Sequence, residues 1–97
     1  MEIVSHEVEK INDPTGILTG ERYEFHLNVE VPEDDELFSV HGLYIRVIIA
    51  DDQEVSMKQY QIYEKGTDRY LDFDLEEEEL DLVQQYCYQY LAELKNS

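Results

Sequence analysis

Tyr23-Glu24-Phe25-His26-Leu27-Asn28-Val29-Glu30-Val31 is the stretch that decides the fold. Tyr23, Phe25, Leu27, Val29 and Val31 alternate with Glu24, His26, Asn28 and Glu30. A period of two is that of a strand with one buried face and one wet face. Pro32 ends the run, because proline cannot donate to a strand ladder.

Downstream, Leu43 to Ala50 is apolar and β-branched on both faces, which predicts a central strand. Asp51-Asp52-Gln53 turns the chain into a strand over about Val55 to Glu64. Lys65-Gly66-Thr67-Asp68 is a second turn, with Gly66 suited to positive φ, and Arg69 to Phe73 is a short strand. Upstream, Glu2 to Ile11 reads as a strand, and Asn12-Asp13-Pro14-Thr15-Gly16 as a strong turn. After Phe73 the period changes. Leu80, Val83, Cys87, Tyr90, Leu91 and Leu94 recur every three to four residues and, with Tyr86, form one helical stripe. Asp74-Leu75-Glu76-Glu77 has the form of a capping box, with Asp74 as N-cap. Glu76 to Glu79 suit the helix dipole, as does Lys95 in the last turn, and Asn96 is a stop signal. The expected fold class is α+β: one domain over residues 1–97, an antiparallel sheet of about five strands with one C-terminal helix packed on one face.

Composition narrows the function classes. The 97 residues carry 24 Asp+Glu against 7 Lys+Arg, for a net charge of −17. Acids outnumber bases in both halves of the chain, so no basic patch forms, and neither direct nucleic-acid binding nor attachment to an anionic membrane is expected. No apolar run approaches the ~20 residues of a membrane span. Met1 to Glu7 opens acidic, without the apolar core of a secretory leader. The single cysteine excludes an internal disulfide and a cysteine-built zinc site. A cytoplasmic location is expected.

Three segments carry a family resemblance: Asp13-Pro14-Thr15-Gly16-Ile17-Leu18-Thr19-Gly20-Glu21-Arg22-Tyr23-Glu24-Phe25, Gly42-Leu43-Tyr44-Ile45-Arg46-Val47-Ile48, and Tyr70-Leu71-Asp72-Phe73-Asp74-Leu75-Glu76-Glu77-Glu78-Glu79. They resemble a family of small acidic cytosolic proteins of Bacillus-like bacteria, of unknown function, whose members sometimes carry the label pullulanase. The resemblance implies a bacterial cytosolic origin and brings no catalytic residues. The label is not expected to describe the activity, because 97 residues cannot hold the large barrel such an enzyme needs.

Each chemistry-bearing cluster has a plainer reading beside the functional one. Asp72, Asp74, Glu76 to Glu79 and Asp81 offer oxygen ligands for Ca²⁺ or Mg²⁺, but their spacing fits a strand running into a helix rather than a loop that wraps an ion. A solvated helix start is expected, and likewise a solvated loop tip at Glu33 to Glu36. His6 and His26, with Glu7 or Glu24, would suit zinc only if four ligands converged, so ordinary histidines are expected there and at His41. Cys87 falls on the helical stripe as a small core residue. Ser5 and Ser39 have no nucleophile motif around them. No acid lies in an apolar run that would raise its pKa for acid–base work. No cofactor, metal or catalytic residue is expected, and the chain is read as non-enzymatic.

What remains is the sheet face away from the helix. With Tyr23, Phe25 and Leu27 inward, Glu24, His26, Asn28 and Glu30 point out, and the next strand exposes Tyr44, Arg46 and Ile48. On the fourth strand Tyr60 and Ile62 are placed inward, with Gln59, Gln61 and Tyr63 outward. Tyr44, Arg46, Ile48 and Tyr63 therefore form the expected interaction face, since aromatic and Arg side chains anchor interfaces. Ordinary cross-strand pairing is the competing account. The expected role is a protein-interaction or accessory module, its partner a protein, and a basic one if charge steers it. The alternative is an acidic inhibitor or nucleic-acid mimic that occupies a basic surface.

Overall fold

The computed structural model describes residues 1–12 and 20–95. Among these residues five strands, β1 (Glu2–Ile11), β2 (Glu21–Glu30), β3 (Leu43–Asp52), β4 (Glu54–Glu64) and β5 (Arg69–Leu71), precede one helix, α1 (Glu77–Lys95). The sheet order is β1-β2-β3-β4-β5, each strand antiparallel to the next. The α+β class, the antiparallel five-stranded sheet and the C-terminal helix are as the periodicities predict. The Asp13–Gly16 part of the predicted turn and the Asn96 stop signal lie outside the described residues.

The alternation in β2 becomes the sheet's two faces. Tyr23, Phe25, Leu27 and Val29 are buried together with Leu43, Ile45, Val47 and Ile49 of β3, Ile62 of β4 and Leu71 of β5. Val83, Cys87 and Leu91 of α1 close this core from above. Tyr60 packs against it beside Ile62, so the expected inward pair on β4 is found. Leu37, from the loop after β2, and Leu75, from the connection into α1, also plug the core. Neither sits in a periodic run, and so neither is legible as core in the sequence.

The start of the helix differs from expectation. Its first bond runs from the Leu80 N–H to the Glu76 carbonyl, 2.8 Å, and the Glu79 carboxylate accepts the Glu76 N–H at 3.2 Å. The capping residue is therefore Glu76, not Asp74, and the box is shifted two positions along. Leu75 gives the reason. It is buried, and its N–H donates to the Tyr60 hydroxyl at 3.0 Å, so the chain stays non-helical until that side chain is in the core. The buried stripe ends at Leu91, with Leu94 42% exposed. A 19-residue helix is ~28 Å long, and its last turn, with Leu94 exposed, lies beyond the buried stripe. β5 likewise stops at Leu71, where the Phe73 N–H bonds the Leu71 carbonyl in a tight turn.

Tyrosine hydroxyls bind the layers together. Tyr88 of α1 accepts the Met57 N–H at 3.0 Å, beside a bulge where the β3–β4 register shifts. On the other flank of the helix the Tyr86 hydroxyl meets His6 Nδ1 of β1 at 2.6 Å. These are polar anchors within a largely apolar interface, and they fix the helix over the sheet.

Candidate functional site on the open face of the sheet

The helix covers one face, and the register determines what the other displays. Tyr44 lies opposite Tyr63, Tyr63 opposite Tyr70, Arg46 opposite His26 and Gln61, and Glu24 opposite Ile48. Four rings form a ladder across β2 to β5. His26 stacks on Tyr44 with centroids 4.2 Å apart, Tyr44 on Tyr63 at 5.1 Å, and Tyr63 leans on Tyr70 at 5.8 Å. The inner rings are nearly parallel, at 19° and 15°. They stand on the sheet as a row, presenting edges and hydroxyls, while Tyr70 at the end is 54% exposed. The Tyr44 hydroxyl donates to Asp68 at 3.1 Å and the Tyr63 hydroxyl to Gln61 at 3.0 Å. Partial burial, and then the Asp68 carboxylate, push the Tyr44 hydroxyl pKa up, so it remains a donor.

Below the ladder Arg46 is held on both sides. Its Nε donates to Glu24 and its Nη1 to Gln61 at 3.2 Å. The guanidinium is thus fixed in the plane of the face and only a third exposed. Of the four residues the sequence singled out, the structure brings Tyr44, Arg46 and Tyr63 together. Ile48 points to the same face but is only 7% exposed, which corrects its expected exposure. Flanked by Glu24 and Gln59 on the neighbouring strands, it forms a floor rather than a contact. His26 and Tyr70 are the members that sequence reasoning missed. The signal for Tyr70 was its place opposite Tyr63 across the Lys65–Asp68 turn. His26 joins diagonally, through a stack that strand alternation does not encode.

The other candidate clusters come apart or stay structural. His6 lies on the helix side, its ring 4.0 Å from Tyr90 and 5.3 Å from Tyr86, whereas His26 is on the open face, so no two-histidine site forms. Among the described residues no group of three or more His, Cys, Asp or Glu is placed to hold a metal ion. Cys87 is fully buried and its thiol is pushed up to about 12 by burial, which leaves it protonated and inert. Ser39 donates to Glu64 at 2.7 Å, and Thr67 to the same carboxylate at 2.8 Å. These bonds hold the Glu64 pKa down and tie the loop after β2 to the end of β4.

Asp35 accepts the Leu37 N–H at 2.9 Å, a turn that aims Leu37 into the core. The same turn brings Asp35 and Glu36 beside Asp74, Glu76 and Glu79, around one cavity of about 260 Å³. Repulsion there adds to that of the whole −17 chain. The melting temperature should therefore rise from low salt to about 0.5 M NaCl, as the Debye length falls below ~10 Å. Ca²⁺ and Mg²⁺ at matched ionic strength should do no better than Na⁺, whereas a saturable micromolar calcium effect would mark these acids as a cation site.

The chain matches, over residues 1–94, the family described as "Family of unknown function (DUF6509)", and it belongs to that family. No curated protein and no solved structure matches it. No helix among the described residues is long and apolar enough to cross a membrane.

Proposed function

We propose that the chain is a non-enzymatic interaction module that docks a basic protein through the open face of its sheet. The observation that carries this reading is the four-ring row His26–Tyr44–Tyr63–Tyr70, held rigid by stacking and by the bonds to Asp68 and Gln61. Rigid aromatics bind with little ordering cost, and a few of them concentrate interface energy. Carboxylates at Glu7, Glu9, Glu24 and Asp68 rim the row, and a charge of −17 draws cationic partners at long range. A cytoplasmic, bacterial setting belongs to the same proposal; the lone buried thiol is consistent with it. The mimic reading is less well supported, because Arg22, Arg46 and Lys58, three of the seven Lys and Arg, interrupt the acids of this face.

The test is affinity capture with quantified binding of the captured partner. Tyr44→Ala or Arg46→Ala should each cost ~1–4 kcal/mol of affinity. Asp34→Ala, on an exposed loop, should cost nothing. Melting curves should show that the variants remain folded. If all three variants bind like wild type, the face is ordinary surface. If only Asp34→Ala loses a basic partner, the acidic-mimic reading takes its place.

A further inference from the structure

We infer that the free edge of β1 accepts an extended basic segment of another protein as a sixth strand, a main-chain contact distinct from docking on the aromatic row, although the Glu7 and Glu9 carboxylates border both. Among the described residues no strand lies beyond β1, and the outward amides and carbonyls of its Ser5–Ile11 stretch have no sheet partner. That stretch pairs with β2 in unbroken register, the irregularity at Ile3/Ser5 lying before it. Such an edge is a template for strand addition, with main-chain bonds supplying affinity and alternate side chains supplying specificity.

The side chains state which strand fits. Glu7 and Glu9 share the open face, opposite His26 and Glu24, and neither has a cationic partner among the described residues. On the helix side, Tyr86, Gln89, Tyr90 and Glu93 line a groove of about 220 Å³. It lies on the flank of α1 that overlooks β1, since His6 of β1 touches both tyrosines, while Tyr88 on the opposite flank reaches β4. A strand laid along β1 thus meets carboxylates on one side and tyrosine rings on the other. The matching pattern is Lys or Arg alternating with an apolar residue.

A second copy of this chain fits poorly over the middle of β1. A two-fold antiparallel pair that keeps both open faces on the same side, centred on Glu7, Val8 or Glu9, sets Glu7 against Glu7, Glu7 against Glu9, or Glu9 against Glu9. Like charges directly opposite are destabilising, and each copy adds −17. Over Glu7 to Glu9 the edge disfavours itself and favours a basic strand.

The probe is a capped (Lys-Val)₄ peptide added to the isotope-labelled full chain at low salt. The expected result is slowed amide exchange confined to residues 5–11 of β1, with chemical-shift changes at Tyr86 and Tyr90. Methylating the backbone nitrogens of the four central peptide residues, which removes their donors while keeping the charge, should weaken binding at least about tenfold. The Glu7→Lys/Glu9→Lys double variant should lose as much, Tyr44→Ala should lose nothing, and a (Glu-Val)₄ peptide should not bind. Equal binding of the methylated peptide would reduce the effect to charge attraction and overturn the inference. Slowed exchange on the Tyr44 row in place of β1 would overturn it too, as would sedimentation showing a β1-paired dimer without peptide.

Discussion

A chain cut after Phe73 is expected to be unfolded, and Leu91→Asp in the uncut chain should come close to the same result. The cut removes Leu75, Val83, Cys87 and Leu91 from the core and strips the cover from Phe25, Leu27, Val47 and Ile49. Each large side chain lost from burial costs ~1.5–3 kcal/mol, against a net stability of ~5–15 kcal/mol for a typical domain. It also removes Tyr88 from the Met57 N–H and Tyr86 from His6. Leu91→Asp instead places a carboxylate where the native side chain is 1% exposed. Burying that charge should cost more than ~4 kcal/mol. Glu93→Lys, one turn from the helix end and exposed, should stay within ~0.5 kcal/mol, because a cation there suits the dipole. Circular dichroism melts decide the matter: a cooperative, native-like transition from residues 1–73 would mean that the sheet stands without its helix.

The same packing explains which parts of the fold were legible. β2 is readable because each of its inward side chains is apolar and each outward one polar, so period and burial coincide. β3 is readable for the opposite reason: Ile48 and Ala50 are buried although they face outward, and only an inner strand covered by neighbours tolerates that. The helix start misleads because the local signal at Asp74 is real but loses to a tertiary demand, the burial of Leu75 under Tyr60. Local capping is worth ~1 kcal/mol, less than a buried leucine. The candidate face was legible in its members that alternate, Tyr44, Arg46 and Tyr63. It was not legible where contacts run diagonally, as for His26, or where an outward residue of an inner strand is nonetheless buried, as for Ile48. Convergence of Asp35 and Glu36 with the acids at the start of α1 was likewise invisible, since it follows from how Leu37 docks and not from either acidic run.

Gly20→Ala should destabilise the protein by ~2–4 kcal/mol, a large effect for one methyl group near the surface. Gly20 precedes β2 with φ of +71°, where a non-glycine residue pays ~1–2 kcal/mol in strain. A Cβ there would lie 2.5 Å from Asp52 Cβ, 2.7 Å from the Asp51 carbonyl oxygen and 2.9 Å from Asp52 Cα. Two of these atoms are backbone, and the next residue, Glu21, is already paired with Asp51, so neither side retreats without opening the first rung of the β2–β3 ladder. Gly66→Ala is the control. It has φ of +83° but open space around its Cβ position, so it should cost only the conformational part, ~1–2 kcal/mol. Urea titrations with unchanged m-values would isolate the steric difference between the two. Equal costs would mean that the β3–β4 turn moves freely and that the close approach imposes nothing. The effect should also stop at stability. Tyr44 and Asp52 are eight residues apart on β3, ~27 Å at strand rise, so the aromatic row sits at the far end of the sheet from Gly20. A folded Gly20→Ala protein should therefore bind its partner like wild type, whereas Tyr44→Ala should melt nearly like wild type and bind more weakly by ~1–4 kcal/mol. That opposite pairing of outcomes separates a residue that builds the sheet from one that uses its open face.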